Sequence, residues 1–184
     1  AASDVYKRQI AAQAMTNILE NLNGMAAIGV GVGLMTIVGQ CMGADRKDEA
    51  VYYIKKLSVI AEVAIIVSCL LVFALTRLVT VLGGMEPTSA KMCFHMVTWI
   101  TLVKPIVWTL AFVPAYGLRA AGDVKFSMIT SCLVMWLCRF CLCVILIRFL
   151  GFGPMGVWIG MFADWTVRAV IFTWRFPVSY THLR

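Results

Sequence analysis

Glu20, Lys104, Arg139, Asp164 and Arg168 all stand inside long apolar runs. A charge at the centre of a bilayer costs roughly 2.5–3.5 kcal/mol on insertion scales, so each residue needs either a partner or a task. A carboxylate sheltered from water, as Glu20 is when it faces a helix bundle, exchanges a proton or a sodium ion with the medium. The alternative is an interfacial carboxylate that is solvated or hydrogen-bonded to Asn17 or Asn21. Lys104 stands beside the helix-disrupting Pro105 near the middle of its span, the depth at which transporters place sites at interrupted helices, and Trp108 on the same span is a further substrate candidate. The Lys104 ammonium can pair with Glu20, pair with a carboxylate outside the chain, or reach a water-filled cleft. Arg139 has no acidic neighbour within four residues and calls for a partner on another helix. Asp164 and Arg168 are four apart and can neutralise each other on one helix face, a structural role.

Other motifs carry less chemistry. Cys138-Arg-Phe-Cys141 has CxxC spacing but no second ligand pair, so it reads as packing sulfur with no metal implied. His95 reads as an interfacial histidine. Gly29-Val-Gly31-Val-Gly33 does not satisfy GxGxxG and opens no phosphate-binding helix. Met96, Trp99, Trp108, Phe112, Met135 and Trp136 read as core or lipid-facing groups, a few of them suited to a cavity for flat cations. With no His/Asp/Glu cluster, and no serine beside a base, enzymatic chemistry is not expected.

The elements that must position these groups are set by composition. Of 184 residues, 61% are hydrophobic and only 14% are charged, which excludes a water-facing globular surface. The net charge of +7 sits in short blocks between apolar runs, as topology requires, instead of on one face as nucleic-acid binding requires. The seven cysteines fall in or beside apolar runs, as small packing residues do. The fold class is therefore all-α: a polytopic membrane protein with spans at about 17–42, 57–82, 92–116, 126–150 and 155–176.

In chain order, Ile10 to Thr16 reads as the tail of a preceding helix, and Asp45 with Asp48 and Glu49 as the cap of a short interfacial helix over 46–56. Gly29 with Gly33, and Gly39 with Gly43, form small-x-x-x-small ridges for close helix approach. Pro105 and Pro114 predict that the third span is bent or locally unwound. Arg46, Lys47, Lys55 and Lys56 in the first loop, and Arg119 and Lys125 in the third, outweigh the other loops and place both in the cytoplasm. Residues 1–9 have no apolar h-region, so no signal peptide is expected before the first span. Residues 1–9 and 177–184 break the membrane pattern abruptly, resemble translated adapter sequence, and read as foreign, leaving 10–176 as the functional unit.

Three segments together resemble the multidrug and toxic compound extrusion (MATE) family. Val38-Gly39-Gln40-Cys41-Met42-Gly43-Ala44 is similar to that family's Val-Gly-Gln-x-Leu-Gly-Ala, and Leu118 to Asp123 to its Leu-Arg-Gly-Ala-Gly-Asp, with Ala120 in place of a glycine. Gly156-Val-Trp-Ile-Gly160-Met161 with Asp164-Trp165, Arg168 and Trp174-Arg175-Phe176 looks like the last helix of bacterial members. The resemblance implies twelve helices in two six-helix bundles, with this chain supplying helices eight to twelve, most of the second bundle. It also implies an antiporter in a bacterial cytoplasmic membrane that exports drugs or organic metabolites against entering H+ or Na+. Its partners would be the bilayer, a small-molecule substrate and the missing first half, with no other cofactor. A lipid-linked oligosaccharide flippase of the same superfamily is the nearest alternative, and a non-functional truncated fragment is another.

Overall fold

The computed structural model describes residues 2–181, with side chains over residues 3–176, and every element among them is helical. The order is α1 (Ala2–Gly43), α2 (Lys47–Leu82), α3 (Pro87–Ala120), α4 (Val124–Val134), a π-helical segment (Met135–Leu142), α5 (Cys143–Arg148) and α6 (Pro154–Thr181). Five helical stretches are long and apolar enough to cross a membrane; the fourth joins α4, the π segment and α5. Their outward faces are as greasy as the interior: Leu70, Val81, Trp136, Leu137 and Phe149 are all more than half exposed. Water would not tolerate an apolar surface of that extent, whereas hydrocarbon does.

Boundaries differ from the sequence expectation where no residue forces a break. Ile10 to Thr16 belongs to α1 and is not the end of an earlier helix, because residues 2–16 contain neither glycine nor proline. Thr16 donates to the Ala12 carbonyl at 2.7 Å inside that continuous helix. Likewise the expected interfacial helix over 46–56 and the second span are one helix, α2. Asp45 does not cap it. It adopts φ 55°, the left-handed conformation that ends α1, while the backbone N–H of Arg46 bonds the Cys41 carbonyl at 2.9 Å. Asp48 and Glu49 fall in the first turn of α2, where they offset the helix dipole.

Helix α3 begins with Pro87 at its first turn, five residues earlier than expected, because a missing N–H costs nothing there. It then runs as α-helix through Pro105 and Pro114, without the expected local unwinding. The irregular backbone lies in the fourth span, at the π segment that carries Arg139. Its facing wall is α6, where a Cβ on Gly160 would come within 2.9 Å of the Cys138 carbonyl oxygen and closer still to Cys143 Sγ. Only glycine lets the wide π turn and α6 approach so closely. By contrast, Gly29, Gly33, Gly39 and Gly43 have open space around them, so the predicted ridges pack against nothing among the described residues. In α1 the glycine that leaves no room for a Cβ is Gly31, set against the Tyr116 ring, while Gly24 lies against Lys104. The reading of residues 177–184 as foreign lies outside the described side chains.

The core is built by α1, α2, α3 and α6. Ile65, Val97, Ile100, Trp108, Trp158 and Trp165 fill its main cluster, and Leu34, Val38, Ala50, Ile54 and Val113 fill a second toward the α1–α2 turn.

Candidate functional site

The main core surrounds a stripe of polar groups. On α1, Gln13, Thr16, Glu20 and Asn23 recur at spacings of three and four, so one face presents them all. On α3, Lys104 lies midway along the helix, roughly 25 Å from either end. The two helices bring Glu20 and Lys104 together: Nζ lies 2.7 Å from Glu20 Oε1 and 3.3 Å from the Glu20 carbonyl oxygen. The Lys104 side chain is fully buried, whereas that of Glu20 keeps 17% exposure. The pair can therefore be approached only from the carboxylate side.

Aromatic faces complete the lysine's surroundings, with Nζ 5.9 Å from the Trp108 centroid and 6.0 Å from that of Trp165. The array continues along α3 and α6. Trp108 stacks on Phe112 at 4.7 Å, and the Arg168 guanidinium sits 5.8 Å from the Phe112 ring. Arg168 bonds Asp164 at 2.8 Å and donates to the Ser131 carbonyl at 3.0 Å, tying α6 to α4. Two buried ion pairs thus flank one aromatic wall.

Each sequence candidate has a definite place. Glu20, Lys104 and Trp108 meet; Asp164 and Arg168 pair as their spacing requires. Asn17 is exposed on α1, with no hydrogen bond among the described residues, and does not hold Glu20. Pro105 is half-buried beside Lys104. Its missing N–H leaves the Thr101 carbonyl without its helical donor, yet the helix continues. Arg139 has no carboxylate partner among the described residues: it is exposed on the π segment and contacts the Met161 sulfur. Asp164, one turn further along α6, is already engaged by Arg168. His95 accepts a bond from the Trp99 indole N–H at 3.2 Å and is exposed, as an interfacial residue would be. Cys138 and Cys141 are free thiols in the span.

Three participants, and one further carboxylate inside a span, are absent from the sequence reading. Asn23 bonds the Cys69 sulfur of α2 at 3.1 Å, and Gln13 accepts from the Trp158 indole at 3.1 Å. Their regular spacing around Glu20 was the available signal. Trp165 gave none, since its role depends on where α6 docks. Glu62 is a half-buried carboxylate within the apolar run of α2, without a hydrogen bond or ion pair among the described residues. The test that singled out Glu20, a charge inside a span, applies equally to Glu62.

The arrangement can hold a cation between a carboxylate, a carbonyl and two ring faces, and at present the chain's own lysine fills that place.

Comparison with known proteins agrees with the helical layout. The model of the MatE family matches residues 2–145. The "Probable multidrug resistance protein NorM" of Thermotoga maritima is 26% identical over 157 residues, covering 83% of this chain and 33% of the relative. The chain thus spans about a third of the length of that curated relative. No solved structure matches. A family match across most of the chain, laid on five apolar helices around a buried charge array, means that this multi-pass membrane protein belongs to the MatE family.

Proposed function

We propose that this chain is part of a secondary antiporter that exports drugs or organic metabolites across a bacterial cytoplasmic membrane, driven by entering H+ or Na+. The observation that carries this reading is the Glu20–Lys104 pair, buried between two helices at 2.7 Å. Family membership and the likeness to a multidrug resistance protein support the transport class.

The physical cycle follows from the pair's asymmetry. A cation arriving at the accessible face of Glu20 competes with the Lys104 ammonium for the carboxylate. A proton neutralises Oε1; a sodium ion occupies the place of Nζ. Either event leaves a fully buried ammonium without its counter-charge, a state that the low-dielectric interior penalises strongly. The lysine relieves that penalty by losing its proton or by moving with α3 toward water. Because Glu20 is on α1 and Lys104 on α3, breaking the pair loosens one helix from the other and biases the bundle between two packings. Trp108 and Trp165 line the vacated place with ring faces suited to a flat organic cation.

In this reading the path itself runs between this bundle and helices outside the chain, so the 184-residue chain alone moves no substrate. A flippase for phosphate-linked sugars would need free cations in its cleft, and Lys104 is instead neutralised by Glu20, which favours the antiporter.

The test is ethidium efflux from cells expressing the complete transporter with Glu20→Gln or Lys104→Ala. Loss of coupled efflux in both, at unchanged membrane abundance, is expected. Wild-type efflux in both variants removes the pair from the mechanism.

A further inference from the structure

Away from the ion pairs, α2 and α3 line a cavity of about 1020 Å³ near the turn that joins them. Three nitrogen-bearing side chains line it, Arg77 from α2 with Lys91 and His95 from α3, and no carboxylate does. Arg77 and Lys91 make no ion pair among the described residues. Glu86, the acid of the adjoining turn, lines a different crevice. The His95 Nε2 accepts the Trp99 indole hydrogen, which leaves its other ring nitrogen to act as a donor. The hydroxyl hydrogens on the walls are already spent, that of Thr80 on the Thr76 carbonyl and that of Thr98 on the Phe94 carbonyl, so the side-chain donors left to an anion are those of Arg77, Lys91 and His95.

The rest of the lining is hydrocarbon, with Phe73 and Phe94 in ring contact at 5.2 Å along one wall. A second, smaller cleft of about 300 Å³ on the other side of Lys91 and His95 is walled by Met92, Met96, Phe152 and Met155. A cationic edge near the helix ends, flanked by apolar clefts in a membrane-spanning chain, offers charge at headgroup depth and grease below it.

We propose that this crevice binds an anionic diacyl phospholipid, its phosphate held by Arg77 and Lys91 with His95 as donor and an acyl chain laid against Phe73 and Phe94. Arginine and lysine juxtaposed without an acid are the groups that recognise a phosphodiester, and a zwitterionic headgroup would bring a choline cation into the same repulsive field. The site is independent of the Glu20–Lys104 pair and stands whether or not that pair couples transport.

The experiment is native mass spectrometry of the complete transporter, extracted from membranes in mild detergent as a monodisperse species. Phosphatidylglycerol and phosphatidylcholine of equal chain length are titrated separately. Phosphatidylglycerol should remain bound at activation energies that strip phosphatidylcholine. Arg77→Ala with Lys91→Ala should weaken its retention by about tenfold or more, while Arg77→Lys with Lys91→Arg keeps it. Arg148→Ala, at an exposed arginine elsewhere, should leave binding unchanged. Equal retention of the two lipids, or undiminished phosphatidylglycerol binding in the double alanine variant, overturns the proposal. So does displacement by millimolar inorganic phosphate, which would make this a free-anion site.

Discussion

The two buried ion pairs differ in what they join. Asp164 and Arg168 are one helical turn apart on α6, and their contact at 2.8 Å exists wherever that helix forms. Glu20 and Lys104 are 84 residues apart in sequence, and their contact exists only when α1 and α3 are packed in one register. The first pair makes a helix acceptable to the membrane; the second makes one helix's position depend on another's. Only a bond of the second kind can be exchanged for a cation and leave the bundle in a different shape. Accessibility points the same way, since the Asp164 side chain is 2% exposed and that of Glu20 17%.

The strongest way to break this contrast is Lys104→Met, which strands Glu20 in the core. It should cost about 3–5 kcal/mol, read as a loss of thermal stability in detergent, with efflux abolished in the complete transporter. Adding Glu20→Gln to it should recover most of the stability and none of the coupling, because a neutral pair fits the core but exchanges no charge. If the double variant still couples, the interhelical pair is merely structural and the contrast fails.

A smaller effect is expected at the intrahelical pair. Asp164→Asn leaves Arg168 its bond to the Ser131 carbonyl and its place over Phe112, so the loss should be about 1.5–3 kcal/mol. Coupled efflux should persist in the folded fraction, as dye transport in vesicles driven by a proton or a sodium gradient would show. Gly160→Ala sharpens the same point without touching a charge. It pushes α6 off the π segment, costs about 1–3 kcal/mol in unfolding experiments, and leaves the ion-coupling signature of the surviving protein unchanged. Last come Asn17→Ala and Gly29→Ala, at an exposed side chain and an open backbone position. Both should stay within about 0.5 kcal/mol of the parent and transport normally, measured by the same melting and efflux assays.

Much of the architecture was legible beforehand because a bilayer imposes a simple rule on sequence. Long apolar runs between short charged blocks can only be spanning helices, and all five runs are found. The helix limits were less legible. Polar residues set Ile10 to Thr16 and Arg46 to Lys56 apart from their spans in the sequence, whereas a helix ends only where backbone chemistry or packing ends it. Proline does not mark the irregular backbone: α3 stays α-helical through Pro105, and the π distortion arises at Met135–Leu142, which contains no proline or glycine at all. The glycine ridges of α1 were real as a pattern, but which glycine packs depends on the neighbour that arrives, and Tyr116 arrives at Gly31.

For the site, the sequence by itself determined that Glu20 and Lys104 must be reckoned with, since hydrocarbon makes any charge in a span expensive. It also determined the Asp164–Arg168 pair, because helix periodicity fixes neighbours four residues apart. What only the tertiary structure decided is that Glu20 and Lys104 meet, that Trp165 joins Trp108 beside the ammonium, and that Arg139 faces outward beside Met161. Contacts between helices depend on the rotation and register of each rod, which side-chain packing across the whole bundle sets and no local spacing records.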